Sequence, residues 1–142
     1  MATYTKYDNF IENLSNKVID FFGTNDVYKA VIHTDAPVTA TDNVLGDLTQ
    51  ISGNNGYTTD GTDITFNSTR SGGTVTATAT DVVWTASGGN LGSSTTGRYV
   101  SYYDSTPATK YLVASWDYGS TFTIATGETF TLDFGASLAT LT

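Results

Sequence analysis

Thr74-Val-Thr-Ala-Thr-Ala-Thr80 alternates threonine with an apolar residue without a break. A period of two puts Val75, Ala77 and Ala79 on one face of a strand and the threonines on the other, which describes a strand with one dry side and one wet side. The same wording returns downstream. In Thr129-Phe-Thr-Leu-Asp-Phe134 the residues Phe130, Leu132 and Phe134 share a face, and Thr121-Phe-Thr-Ile124 repeats the alternation. A chain written this way devotes its side chains to a rigid β shell and keeps few for chemistry.

Other strands follow from the same reading. Val27 to His33 carries apolar residues at both parities, which predicts a central strand covered on both faces. Val44 to Ile51 reads as a weaker strand, or as a strand after a turn. Asp60-Gly61 is a hairpin signal ahead of Ile64-Thr-Phe66. At Thr80-Asp81 the apolar parity flips, from Val75, Ala77 and Ala79 to Val82, Trp84 and Ala86, so a bulge or corner is expected there. Ser87 to Gly97, rich in Gly, Ser and Thr, reads as a mobile surface loop. Arg98 to Tyr103 and Lys110 to Tyr118 are further strands, with Leu112, Ala114 and Trp116 expected on one face. One helix is predicted, capped by Thr5 and stopped by Gly23, with Phe10, Ile11, Leu14, Val18, Phe21 and Phe22 as its apolar stripe. The sum is a mainly β chain, an antiparallel β-sandwich, jelly-roll-like, with one N-terminal α-helix. Residues 1–23 form an arm and helix that pack on a single domain spanning 24–142.

Composition narrows the function. The 142 residues suit one core. Six basic residues against fourteen acidic ones give a net charge of −8, and the basic residues are scattered. Direct nucleic-acid binding needs clustered Lys and Arg and is not expected. No apolar run has membrane-spanning length, so no membrane partner is expected. With no cysteine, there is no disulfide, thiolate nucleophile or zinc–thiolate site.

The candidates for chemistry are sparse. His33 is the sole histidine, and no Gly-x-Ser-x-Gly elbow accompanies it. It reads as a strand-end residue rather than a catalytic base. The aspartates cluster in turns, where they hydrogen-bond local backbone. Asp60 and Asp63, with Asp42 or Asp47, are the one acidic set that suggests a cation, but their spacing is not that of a calcium loop. No catalytic residue, cofactor or metal is assigned, and an enzyme is not expected. Tyr99, Tyr102, Tyr103, Tyr111, Trp116 and Tyr118 fall in neighbouring segments. They read first as a packed sheet face, then as protein-contact anchors, and last as a sugar-stacking platform.

The order of segments is itself informative. Phe10-Ile-Glu-Asn-Leu14, Asn16-Lys-Val18, Asn25-Asp-Val-Tyr-Lys-Ala-Val-Ile32, Thr34-Asp-Ala-Pro37, Val44-Leu-Gly-Asp-Leu-Thr-Gln-Ile51 and Gly53-Asn-Asn-Gly-Tyr57 resemble a family of small virion structural proteins of tailed bacteriophages. So do Asp81-Val-Val-Trp-Thr-Ala-Ser-Gly-Gly89, Arg98-Tyr-Val-Ser-Tyr-Tyr103, Trp116-Asp-Tyr-Gly119 and Gly127-Glu-Thr-Phe-Thr-Leu-Asp-Phe134. The resemblance spans nearly the whole chain and rests on segment order, not on a catalytic motif. It implies a capsid decoration, or cement, protein on the exterior of a head assembled in the host cytoplasm. Its partners would be the major capsid protein and other copies of itself, with trimers a frequent arrangement of such proteins. A tail or head-fibre component and a glycan-binding adhesin module are the rival readings. Contacts are expected first at Tyr4, Tyr7 and Phe10 and at Tyr102 and Tyr103.

Overall fold

The computed structural model describes residues 2–22, 25–93 and 97–142. The described chain is mainly β, with antiparallel pairing throughout and one α-helix. Ten strands are formed: β1 (Thr3–Lys6), β2 (Tyr28–His33), β3 (Thr62–Ile64), β4 (Phe66–Ser71), β5 (Thr74–Ala79), β6 (Val82–Thr85), β7 (Gly97–Asp104), β8 (Leu112–Phe122), β9 (Thr129–Leu132) and β10 (Ala139–Leu141). The helix α1 spans Asn9–Ser15. One layer is a five-stranded sheet in the order β1-β8-β7-β2-β3; facing it are a three-stranded sheet, β10-β5-β4, and a two-stranded one, β6-β9.

The core lies between these layers. Tyr28, Ala30 and Ile32 of β2, Val100 and Tyr102 of β7 and Val113 and Ala114 of β8 meet Ala77, Val82, Trp84, Leu132 and Phe134 from the opposing sheets. Burial of each large apolar side chain contributes about 1.5–3 kcal/mol. Aromatic rings run through this interior edge to face: Phe10 on Phe21, Phe21 on Tyr28 and on Phe66. On the other side of the five-stranded sheet a second cluster gathers Tyr7, Val31, Leu45, Leu48, Tyr103 and Leu112. β2 therefore has both faces covered, as its apolar residues at both parities require.

The deciding stretch folds as its alternation demands. It forms β5, the middle strand of its sheet, with Ala77 fully buried. The parity flip at Thr80-Asp81 is a corner: the chain leaves the β5 sheet and enters the β6–β9 ribbon, where Val82 and Trp84 are buried and Val83 and Thr85 exposed. Asp81 secures the corner by accepting a 3.0 Å hydrogen bond from the Phe134 backbone amide.

Several expectations are corrected. Thr5 does not cap a helix; Thr3–Lys6 is an edge strand on β8, with Thr5 opposite Ser115. α1 is seven residues long and ends in a Schellman arrangement. The Lys17 amide donates to the Leu14 carbonyl and the Val18 amide to the Asn13 carbonyl, with Lys17 at φ 57°. The proposed stop, Gly23, and the boundary residue Thr24 lie outside the described residues. Val44 to Ile51 is a 3-10 turn at Leu45–Asp47 flanked by isolated bridges at Val44 and Gln50. Asp47 holds that turn by accepting from the amides of Asn43 and Val44.

Leu112 does not share a face with Ala114 and Trp116. Tyr103 pairs with Leu112 and Tyr102 with Ala114, so Val113 is the extra residue of a β-bulge. The bulge sends Leu112 to the second cluster and Ala114 to the main core. Asp60-Gly61 is a turn with both residues at positive φ, 69° and 82°, but it feeds β3 into β2 rather than closing a local hairpin. A Cβ at Gly61 would lie 2.0 Å from the Ala30 carbonyl oxygen, so this close approach requires glycine. The Thr121–Ile124 strand is only the end of β8, which stops at Phe122. The Ser87–Gly97 loop is tied down where it is described: Leu91 is buried and its amide bonds the Ile124 carbonyl. Its residues 94–96 lie outside the described residues.

Candidate functional site

Two polar constellations are buried in the five-stranded sheet. The first is a chain of four side chains. His33 ends β2 and Ser101 lies in mid-β7, opposite Val31 and Ser115. His33 Nε2 is 2.8 Å from Ser101 Oγ, and Ser101 Oγ is 2.9 Å from the Tyr7 hydroxyl. His33 Nδ1 faces Asp35 Oδ1 at 3.3 Å. Asp35 also accepts from the Thr49 amide. A carboxylate accepts only, so Nδ1 carries the imidazole proton, Ser101 donates to Nε2, and Tyr7 donates to Ser101. Burial depresses the His33 pKa, against the opposing pull of Asp35, and the ring is neutral. Burial pushes the Tyr7 phenol up to about 12.

Asp35, His33 and Ser101 thus repeat the connectivity of a hydrolase triad, but the surroundings differ. His33 and Ser101 are fully buried. Both sides of Ser101 Oγ are occupied, and its strand is paired on both edges, so no free amide pair stands beside it to hold an oxyanion. Asp35 is two residues from His33, but Ser101 arrives through the β2–β7 register and Tyr7 from the segment after β1, so the sequence alone does not show the group.

The second constellation is acidic. Asp104 ends β7, opposite Tyr28 on β2. It is fully buried, and its Oδ1 accepts from the Thr106 amide at 2.9 Å. Its Oδ2 and the Tyr28 hydroxyl have no hydrogen-bond partner among the described residues. The neighbour of Asp104 is the carboxyl group of Asp26, and burial together with this pairing raises Asp104 to about 6. The Thr106 amide donates to Asp104 and the Asp20 amide to Asp26, but among the described residues no cation stands between the two acids, so burial beside a like charge favours the protonated form of Asp104. Around them the backbone is clasped: the Val27 amide donates to Thr106 Oγ1 and the Ser105 amide to the Val27 carbonyl. Among the described residues no group of three or more acidic, histidine or cysteine side chains has metal-binding geometry. Asp60 is instead paired with Lys110 at 2.8 Å and Asp63 with Lys29 at 3.1 Å.

The five contact candidates do not form one patch. Tyr7, Phe10, Tyr102 and Tyr103 are buried, whereas Tyr4 is 48% exposed. The four buried residues serve the interior: Tyr7 bonds Ser101, Phe10 packs on Phe21, Tyr102 lies against Trp116, and the Tyr103 hydroxyl donates to the Asp60 carbonyl. Their expected role as surface anchors is corrected by that burial. Tyr4 lies edge to face with Trp116 at 5.3 Å beside a groove of about 210 Å³ lined also by Phe134, Ser137 and Leu138. The rings meet at 62°, which does not make the flat platform a sugar ring stacks on.

What the sequence reading does not single out is the three-stranded sheet, which holds no acidic residue. No acidic residue lies between Asp63 and Asp81 or after Asp133, and Arg70 is the sole charge in β4, β5 and β10.

No family model, no curated protein and no solved structure matches this chain.

Proposed function

We propose that this chain is a structural protein of a tailed-phage particle, a capsid decoration protein that binds the major capsid protein and reinforces the head. Beside the segment-order resemblance, one observation carries the reading. His33, Ser101 and Asp104, the side chains best arranged for chemistry, are sealed inside, while strand edges and a sheet face free of acidic residues stand at the surface. Such a molecule works through the area it presents. Exposed edges pair with other chains through main-chain hydrogen bonds, and many copies on one shell make weak contacts act together. The acidic surface keeps copies soluble until they meet their place on the particle.

The test is the composition of purified particles. The expected result is this chain at fixed, high stoichiometry to the major capsid protein, with density on the outer head surface in a cryo-EM reconstruction. A few copies confined to the tail would establish the tail-component reading instead. Presence in lysate with none in particles overturns the proposal.

A further inference from the structure

We propose that β4 is a homotypic edge, through which two copies of this chain pair antiparallel across a two-fold axis to join their three-stranded sheets into one of six strands. The idea deepens the assembly reading above by naming the copy-to-copy surface. It is tested on the isolated chain, so its failure is separate from a failure to find the chain in particles.

Three observations converge. First, β4 is the outer strand of the β10-β5-β4 sheet and, among the described residues, has no strand on its free side. Asn67, Ser68, Thr69, Arg70 and Ser71 are all exposed. An edge strand presents unpaired amides and carbonyls, and proteins that stay apart guard such edges with charge, proline or very short length. At six residues, β4 is longer than the edge strands β1, β3 and β10, which have four, three and three. It holds no proline and a single charge. One charge also marks β1 (Lys6) and β3 (Asp63), but those edges, like the uncharged β10, are short, and the β6–β9 ribbon is flanked by Asp81, Glu128 and Asp133.

Second, the charge map selects this place. Two copies at −8 each repel. The sheet built from β4, β5 and β10 contributes no acid, and its one charge, Arg70, is opposite in sign to the excess. Approach edge to edge here brings together the least like charge the molecule offers. Pairing centred on Thr69 would set Arg70 opposite a Ser68, not opposite another arginine.

Third, the surface is self-complementary, as an isologous contact demands. The register aligns Asn67 with Thr78, Thr69 with Thr76 and Ser71 with Thr74, and Thr76 in turn with Thr140. That face is a grid of hydroxyls, each both donor and acceptor, so a copy of itself satisfies it. The hairpin Ser71-Gly-Gly-Thr74 keeps the edge straight: Gly72 takes φ 59°, which suits a two-residue loop with glycine first.

The experiment is sedimentation of the full chain over a concentration series, parent beside Thr69→Glu on β4 and Thr131→Glu on β9. The expected result is a concentration-dependent dimer in the parent and in the Thr131 variant, weakened at least about tenfold by Thr69→Glu with unchanged circular dichroism. Because the chain has no cysteine, single-cysteine variants report geometry directly. Thr69→Cys should oxidise to a covalent dimer and Thr131→Cys should not. A parent that stays monomeric at its highest soluble concentration overturns the proposal. So does a dimer indifferent to Thr69→Glu, or equal crosslinking at both positions.

Discussion

Asp104 and His33 sit within one sheet and answer to acid in opposite directions. Asp104 is raised from 3.8 to about 6, so the folded protein keeps a proton that the unfolded chain has lost. Its contribution is favourable below about pH 4 and is lost as pH rises through 6. His33 is depressed below 6.5, so the unfolded chain takes up the proton first. Its contribution is intact above 6.5 and is lost as pH falls. Asp104→Asn supplies a permanent donor toward Asp26 while keeping an oxygen for the Thr106 amide. The variant should be more stable than the parent by about 1–3 kcal/mol at pH 7, with the gap closing toward pH 4. Urea unfolding across pH 4 to 8 checks this; a gap independent of pH would refute the raised Asp104 pKa. His33→Gln should flatten the remaining loss of stability below pH 6.5 in the same series.

At the scale of the element, the ends and kinks carry the surprises. Alternation made β5 and β9 legible, and two-sided apolarity made β2 legible as an interior strand. What failed were features set by partners rather than by local wording. Thr3–Lys6 carries a short threonine alternation of its own, but beside the apolar stripe of α1 it reads as a helix start. Only pairing with Ala114–Asp117 makes it a strand. The end of α1 was hidden because Lys17, not glycine, occupies the left-handed position, a conformation that costs a residue with a Cβ roughly 1–2 kcal/mol. Lys17→Gly should therefore stabilise the protein by about 0.5–1 kcal/mol, read as a raised midpoint in thermal unfolding with unchanged helix content. The Val113 bulge is likewise invisible in the sequence, since it exists only relative to β7.

At the scale of the whole molecule, a core of interlocked rings assigns the aromatics to packing. The tyrosine-rich segments were read first as a packed face, and that reading holds for Tyr99, Tyr102 and Tyr103. The buried relay from Tyr7 to Asp35 and the carboxyl pair were not legible, because each joins residues separated by most of a sheet's connectivity. The division of labour among the candidate residues gives a clear contrast. Tyr102→Ala removes a ring packed on Phe66, Trp116 and Phe134 and should cost about 3–5 kcal/mol, lowering the urea midpoint sharply. Tyr4→Ala, at a half-exposed edge, should leave the midpoint within about 1 kcal/mol of the parent. Any loss of particle association by that variant would then report on contact rather than folding.

The five-stranded sheet joins Thr3 to Asp117, and its central pair joins residues such as His33 and Tyr99. β7 and β8 are consecutive and pair locally, but the β1–β8 and β2–β7 ladders join distant segments, so for them loop closure comes before the gain from pairing. Refolding therefore belongs among the slow topologies, on the order of milliseconds to seconds.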